Sequence, residues 1–276
     1  MNTAKLFIVP TPIGNLKDIT LRALETLAKV DVIICEDTRH TVKLLNHYGI
    51  KKTLIASEKF SEAKKAQQIL KLLEQGSTVA LVSDAGTPLI SDPGAYIVAH
   101  ARQSGYPIEA LPGACAFITA LSASGFTGRV RFIGFFPRLA KQAEQERMRM
   151  LVSDDITAFY ESPRRVRKTL ERILPGLEDR EACIAREISK VHEEYRCGKL
   201  AEIVEQLPSE PFKGEITVVI QGMGAPPEAV QDSGQVIQKA RSLLKQGYSR
   251  RDILKLLGTE TGMKRNTLYR LLIDCV

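Results

Sequence analysis

The sequence predicts an α/β protein of two lobes, a parallel-sheet N-lobe and a mixed-sheet C-lobe, followed by a small basic helical domain. Three observations lead there. Across the first 125 residues, short apolar runs alternate with helical periodicity, the pattern of a parallel sheet wrapped by helices. After Gly128 the strand-like runs come with less regular helices between them, as expected of a mixed sheet. Residues 222–234, GMGAPPEAVQDSG, then have the composition of a linker and precede three short amphipathic segments. The expected divisions are 1–125, 126–222, a linker at 223–234, and a helical domain at 235–276.

In the N-lobe, KLFIV (5–9) reads as a strand ending in the Pro/Gly-rich loop PTPIGNLKD. Thr20 can cap a helix whose Leu21, Leu24, Leu27 and Ala28 share a face. VDVII (30–34) is a second buried strand, and CEDTRH opens a helix through Leu44 and Leu45. Ala66, Ile69, Leu70 and Leu73 mark a helix over 62–75 that Gly76 closes. TVALV (78–82) is the next strand. Asp92 and Pro93 then form an expected N-cap and first-turn pair for a helix to about Gln103. PIEAL (107–111) is the last strand of this half. In the C-lobe, RFIGFF (131–136), ITAFYE (156–161), ACIARE (182–187) and ITVVIQ (216–221) read as strands, and HEEYRCG (192–198) as an antiparallel addition. Helices are expected at 138–152, 165–173 and 199–206. In the tail, Ser249 followed by Asp252 has the capping-box spacing for the second of three helices.

The composition, 44% hydrophobic and 26% charged, is that of a soluble globular protein with a sizeable core. No apolar run approaches the roughly 20 residues that span a bilayer, and LFIV followed by Pro10 is too short for a signal peptide core. A cytoplasmic location is the expectation. Five scattered cysteines with no C-x-x-C pair argue for reduced, mostly buried thiols, and neither they nor the four histidines have metal-ligand spacing. No metal is expected. Of the net charge of +7, nearly all lies in residues 235–276, where nine Lys/Arg face three acids. A concentrated basic segment beside a near-neutral body suggests a polyanionic partner.

The loop VSDAGTPLISDPG (82–94) carries the most chemical information. It is neither a dinucleotide fingerprint nor a P-loop, and it exceeds the usual roughly 2–6 residue βα connection. Turn geometry alone can account for its glycines and prolines. Yet Asp84 stands at the strand end with no Lys or Arg between 77 and 101, the reverse of a phosphate site. A carboxylate there repels polyphosphate but accepts hydrogen bonds from ribose, so the fitting ligand is a nucleoside of little negative charge, or a cation. S-adenosylmethionine is both. PTPIGN and LPGACA should reach the same sheet end, where the small residues Gly113 to Ala116 allow a flat base to approach closely.

TPIGNLKDIT (11–20), IICEDTR (33–39), VSDAGTPLISDPG, LPGACA (111–116), FIGFFPR (132–138), FYESPRRV (159–166), AREISKVHEE (185–194) and KGEITVVIQG (213–222) resemble, in this order, motifs of the tetrapyrrole-methylase-like superfamily. Within it they are similar to the branch that methylates ribose 2′-hydroxyls of bacterial small-subunit ribosomal RNA, and the tail helices resemble that branch's extra domain. Cys115 stands where the pattern leads one to expect Pro or Ser. The resemblance implies a two-lobed fold, a homodimer, S-adenosyl-L-methionine as cofactor, and a cytidine of 16S rRNA in the 30S subunit's decoding region as substrate. Carried across, the cofactor contacts are Asp84, Ala85, Gly86, Thr87, Leu89, Cys115 and Ala116, with Tyr160, Glu161, Ala185 and Arg186 from the C-lobe.

A 2′-hydroxyl is a weak nucleophile that a base or cation would help. The candidates are Asp37 with Arg39 and Glu187 with Lys190, with Asn15 and Glu161 also considered. Asp37 reads equally as an N-cap, and Glu187 as an ion-pair partner of Arg186 or Lys190. His192 is taken as structural. Arg164 and Arg165 (with Arg167 and Lys168) suit RNA phosphates or an ordinary solvated face, and Arg250, Arg251, Lys264 and Arg265 suit phosphates in the tail. With Tyr248 and Tyr269 its only aromatics, the tail favours phosphate contact over base stacking. Two alternatives stay open: a methylase of a tetrapyrrole or similar anion, which leaves the tail without a role, and a non-enzymatic helix-turn-helix nucleic-acid binder, which leaves the loops without one.

Overall fold

A computed structural model describes residues 4–56, 62–208, 213–223, 233–245, 248–261 and 268. They fall into two units, one ending at Gly222 and one starting at Met223. The first unit holds two five-stranded sheets. In chain order its opening elements are β1 (Lys5–Ile8), α1 (Leu21–Lys29), β2 (Val32–Cys35), α2 (Thr38–His47), β3 (Thr53–Ala56), α3 (Glu62–Glu74), β4 (Thr78–Leu81), α4 (Ala95–Gln103) and β5 (Ile108–Ala110). All five strands are parallel, in the order β3-β2-β4-β1-β5. Strand alternation builds both faces. Leu6, Ile8 and Ile34 pack against Ala66, Ile69 and Ile97 of α3 and α4. Phe7, Val9 and Ile33 pack against Ala23, Leu27 and Leu45 of α1 and α2. The strands β2 and, after Thr78, β4 are apolar because helices cover both sides.

The remaining elements are α5 (Ala116–Ser124), β6 (Val130–Phe135), α6 (Ala140–Val152), β7 (Ile156–Glu161), α7 (Val166–Ile173), β8 (Glu181–Arg186), β9 (Glu194–Lys199), α8 (Leu200–Gln206) and β10 (Ile216–Ile220). Their sheet order is β6-β7-β10-β8-β9, with β6 and β7 parallel and every other pair antiparallel. One face packs Phe159, Ile184 and Val218 against Leu170, Ile173 and Leu200 of α7 and α8. The other is covered by α5, through Phe117, Ala120 and Leu121, and by Ile13 from the loop after β1. The chain therefore changes sheets before residue 116, ahead of the division expected at 125, and two elements of the first half serve as core for the second.

Several expectations need correcting. No strand was expected at 53–56, yet β3 forms an edge of the parallel sheet. The helix α4 is not capped by Asp92 and Pro93: its N-cap is Gly94, at φ 121°, with no side-chain cap bond. A Cβ there would lie 2.9 Å from Leu81 Cδ2, so the close turn under β4 requires glycine. The thiols are not all reduced. The β8–β9 register sets Cys183 directly opposite Cys197, 4.1 Å apart at Cα, and a disulfide joins them. Among the described cysteines, Cys35 and Cys115 are not disulfide-bonded.

The second unit contains α9 (Ser233–Lys245) and α10 (Arg250–Thr261), packed through Val236, Ala240, Ile253 and Leu257 with Leu268. The Asp252 N–H donates to Ser249 Oγ, the expected cap of α10. The expected third helix and most of the expected linker lie outside the described residues. Among the described residues, no helix is long and apolar enough to cross a membrane.

Candidate active site

Three loops leave the carboxyl ends of β1, β4 and β5, the edge where open parallel sheets hold ligands. Hydrogen bonds sew them into one surface. Thr11 N–H donates to Gly86 O (2.9 Å) and Gly86 N–H to Thr11 O (3.0 Å), an isolated bridge between the first two loops. Thr11 Oγ1 donates to Ser83 O, and Ser83 Oγ to Gly86 O, both at 3.0 Å. Thr87 Oγ1 reaches Ala114 O of the third loop at 2.9 Å. Gly86 sits at φ 82°, and a Cβ there would meet Ile13 Cγ2 at 3.3 Å. Leu89 (φ 70°) and Ser91 (φ 71°) hold left-handed conformations without being glycine. Such backbone costs of order 1–3 kcal/mol per residue and gathers at functional loops.

Facing these loops is a wall from the second sheet: Phe135 at the end of β6, Tyr160 to Pro163 at the end of β7, and Gly214 to Thr217 leading into β10. The cleft between them is about 390 Å³, within the usual range for small-molecule sites. The helix α5 opens onto it with Cys115 as N-cap and no side-chain cap of its own. The Phe117 N–H in the first turn of α5 acts on the Tyr160 hydroxyl, favouring its ionised form. Burial, then the neighbouring Cys115 thiol, push the Tyr160 hydroxyl above its ordinary range, so it stays protonated. Its ring packs edge-on against Phe132 (5.0 Å) and Phe135 (5.7 Å). Beneath the rim, the Glu161 side chain is fully buried and accepts from Ser162 N–H and Thr169 Oγ1, both at 2.7 Å. Arg165 pairs with it at 3.1 Å and also donates to Phe136 O.

Asp84, Ala85, Gly86, Thr87, Cys115, Ala116, Tyr160 and Glu161 all line this cleft. Leu89, Ala185 and Arg186 do not. The Leu89 side chain packs on the core beside α4, Ala185 is buried beneath α5, and Arg186 pairs with Glu194 at 3.1 Å. Glu215 and Gly214 were missed as lining, although KGEITVVIQG was already distinctive as a sequence. Ile90 and Ser91 take the place expected for Leu89, because the left-handed turn at 89 sends that side chain back towards the core.

Asp84 Oδ1 accepts Asp37 N–H at 2.9 Å, tying the β4 loop to the start of α2. Asp37 caps α2 through Arg39 N–H and is clasped by the Arg39 guanidinium. Those hydrogen bonds lower its carboxyl to about 2. Glu187, at φ 50°, accepts Lys190 Nζ (2.8 Å) and Glu215 N–H (2.9 Å). Burial alone would push the Glu187 carboxyl up, but these two bonds hold it below its ordinary value. Lys190 also meets Glu215 at 3.1 Å, and its ammonium is held above the usual range against the opposing effect of burial. Both bland readings, cap and ion pair, are thus realised in the geometry. Of the candidate RNA contacts, Arg164 is exposed near the cleft rim, Arg165 is occupied by Glu161, and Arg250 and Arg251 are exposed on α10. Lys264 and Arg265 lie outside the described residues.

The family model for tetrapyrrole (corrin/porphyrin) methylases matches residues 5–204. The ribosomal RNA small subunit methyltransferase I of Haemophilus influenzae is 42% identical over 97% of this chain and 96% of its own. That of Thermotoga maritima is 45% identical over 79% of this chain and 98% of its own. Among solved structures, the methyltransferase CobJ superposes with a TM-score of 0.61 at 19% identity, covering 80% of this chain and 95% of that one. A uroporphyrin-III C-methyl transferase from Thermus thermophilus, complexed with S-adenosyl homocysteine, gives 0.52 at 16% identity, covering 78% and 96%. With the parallel sheet, its three loops and all of the cleft lining except Gly214 to Thr217 inside the matched span, the chain belongs to the tetrapyrrole (corrin/porphyrin) methylases and groups there with the ribosomal RNA small subunit methyltransferase I proteins.

Proposed function

We propose that this methyltransferase uses S-adenosyl-L-methionine to methylate the ribose 2′-hydroxyl of a cytidine in the decoding region of 16S rRNA. The observation that carries the cofactor is the charge of the cleft. Its described lining includes Asp84, Asp92, Glu161 and Glu215 but no Lys or Arg. That lining disfavours a polyphosphate and suits a nucleoside bearing a cationic sulfonium. When bound, the cofactor supplies an electrophilic methyl group.

The chain's own residues supply position. An in-line transfer needs donor and acceptor aligned, and positioning alone can contribute several kcal/mol. The sewn loops around Thr11, Gly86 and Thr87 give a rigid floor, while Phe135 and Tyr160 exclude water from the opposite side. Asp84 offers a carboxylate to ribose hydroxyls. Asp37 and Glu187, both held below the ordinary carboxylate range, are anions kept for hydrogen bonding and charge, not bases tuned near neutrality. The exposed Arg164, Arg250 and Arg251 suit RNA phosphates.

A homodimer and a cytoplasmic site of action belong to the same reading. Phe135 and Leu139 leave 59% and 65% of their surface exposed, an apolar edge that a second copy would cover. Light scattering tests the dimer. The function is tested by incubating the protein with labelled cofactor and 30S subunits lacking the modification, then mapping the label. Label at a cytidine ribose is expected. Label on a tetrapyrrole but not on RNA would overturn the reading.

A further inference from the structure

Two further hollows lie beyond the cofactor cleft, one sharing a wall with it and the other sharing a wall with the first. The smaller, about 210 Å³, lies between the loop after β1 and α2, and Asp84 belongs both to it and to the cofactor cleft. The larger, about 670 Å³ and open, is lined by Lys17, His47 and Lys190, and it shares Leu16 with the smaller. The hollows thus succeed one another outward from Asp84, past His40 and Lys43, over Leu16, to Lys17 and His47, as a groove. Its walls are fixed. Tyr48 Oη donates to Leu16 O at 2.7 Å, and Ser189 Oγ bonds Asp18, so the 14–18 loop is pinned to both α2 and the second lobe. At Gly14 a Cβ would lie 2.9 Å from Ile188 O, so that approach requires glycine.

Basic side chains outnumber acids along this groove: Lys17, His40, Lys43, His47 and Lys190 against Asp84 and Glu193. α2 contains Arg39, His40, Lys43 and His47 and no acid. Lys17 and Lys43 are exposed and form no ion pair with a described residue. The two acids keep their charge but are held in place, Asp84 Oδ1 accepting from Asp37 N–H, and Glu193 from Ser189 N–H and Tyr195 Oη. Lys190 itself pairs with Glu187 and Glu215. His40, Lys43 and His47 succeed one another along α2 at one helical turn each, close to 5 Å apart along the axis.

We propose that this groove carries the sugar–phosphate backbone of a single-stranded RNA segment flanking the target nucleotide. Lys43 and Lys17 meet successive phosphates, and His40 stands at the inner end, where the acceptor sugar passes Asp84 into the methyl-transfer cleft. The inner hollow, about 210 Å³, is too small for a paired duplex, so the target nucleotide must enter it unpaired. This rests on the ribosomal RNA reading above and adds the path by which the substrate reaches the cofactor.

The test uses the full-length protein and its Lys17→Ala/Lys43→Ala variant. Three quantities are measured: the calorimetric dissociation constant for S-adenosylhomocysteine, steady-state methylation of unmodified 30S subunits, and binding of a single-stranded rRNA fragment across a salt series. Cofactor affinity should stay within about twofold, while KM for the subunit rises about tenfold or more with kcat largely retained. Losing two phosphate contacts should lessen the slope of log K against log salt by about 1.4. Unchanged KM and slope in the variant, with an active wild type, overturn the groove and leave the function standing. A wild type that labels no RNA overturns both. Retained cofactor affinity distinguishes lost RNA contact from misfolding.

Discussion

Removing the Glu161 carboxylate should be among the most damaging single changes near the cleft. In Glu161→Ala, Thr169 Oγ1 and Ser162 N–H lose their 2.7 Å acceptors in a place where Thr169 is 6% exposed. Each orphaned buried donor costs about 1–3 kcal/mol. Arg165, 30% exposed at its side chain and still bonded to Phe136 O, adds less, about 0–1 kcal/mol as for other partly solvated pairs. The sum is about 2–7 kcal/mol, and its middle, about 3–5 kcal/mol, is the range for breaking a buried pair from one side. At about 2–4 °C per kcal/mol for a chain of this size, the melting temperature should fall by about 6–20 °C. Glu161→Gln keeps an acceptor oxygen and the volume, so it should lose only about 1–2 kcal/mol. Urea unfolding of both variants provides the measurement. An alanine variant within about 1 kcal/mol of wild type, or a glutamine variant as damaged as alanine, refutes the reasoning. Normal stability with lost cofactor affinity would instead make Glu161 a ligand-contacting group.

Asp84→Ala should weaken cofactor binding by about 10- to 150-fold, the equivalent of one hydrogen bond to a charged group; unchanged affinity by calorimetry would make the loop purely architectural. The Asp37 carboxyl, lowered to about 2 chiefly by its Arg39 side-chain hydrogen bond, should rise in Arg39→Ala but stay below about 3.9, because the residue-39 N–H still caps it. Being depressed in the folded state, it stabilises above its unfolded value and loses that contribution as pH falls through about 2. Carbon-detected NMR titration reads the midpoint, and a wild-type value near 4 contradicts the clasp. Iodoacetamide should label Cys115, half-buried on the cleft wall, ahead of the buried Cys35. Saturating S-adenosylhomocysteine should slow that labelling; equal rates with and without it would remove Cys115 from the cofactor wall.

The parallel sheet was legible because its strands are buried on both faces and read as unbroken apolar runs: VIIC in β2, TVAL in β4. The edge strand β3 was not, since TLIA is four residues behind two lysines and only partly buried, too short for a period to register. The loop 82–94 was legible as a ligand surface from its missing cations, but not residue by residue. Whether Leu89 or Ile90 faces the cleft depends on one left-handed φ, which composition does not encode. The Cys183–Cys197 bond follows from β-register, a pairing across 14 residues that spacing alone cannot reveal. Arg165 looked like part of a basic surface because Glu161, four residues earlier, is apolar-flanked and reads as strand; only the turn into α7 brings the two charges together. Gly214 to Thr217 reach the site because β10 pairs between β7 and β8, a long-range arrangement with no local signal.

That position of β10 has a consequence for how the chain is made. The last strand to be synthesised in the first unit is the central strand of the second sheet. Until Ile216–Ile220 emerge, β7 and β8 have no common neighbour, and α5, completed at Ser124, lacks much of the surface that buries Phe117 and Leu121. At about 5–20 residues per second, nearly a hundred residues separate the two events, an interval of roughly 5–20 s. During it the nascent N-terminal half presents a greasy, unsheltered helix. Successive ribosomes on one message would carry such helices side by side, making this interval the chain's greatest exposure to misassociation and α5 the natural segment for a holding chaperone to grasp.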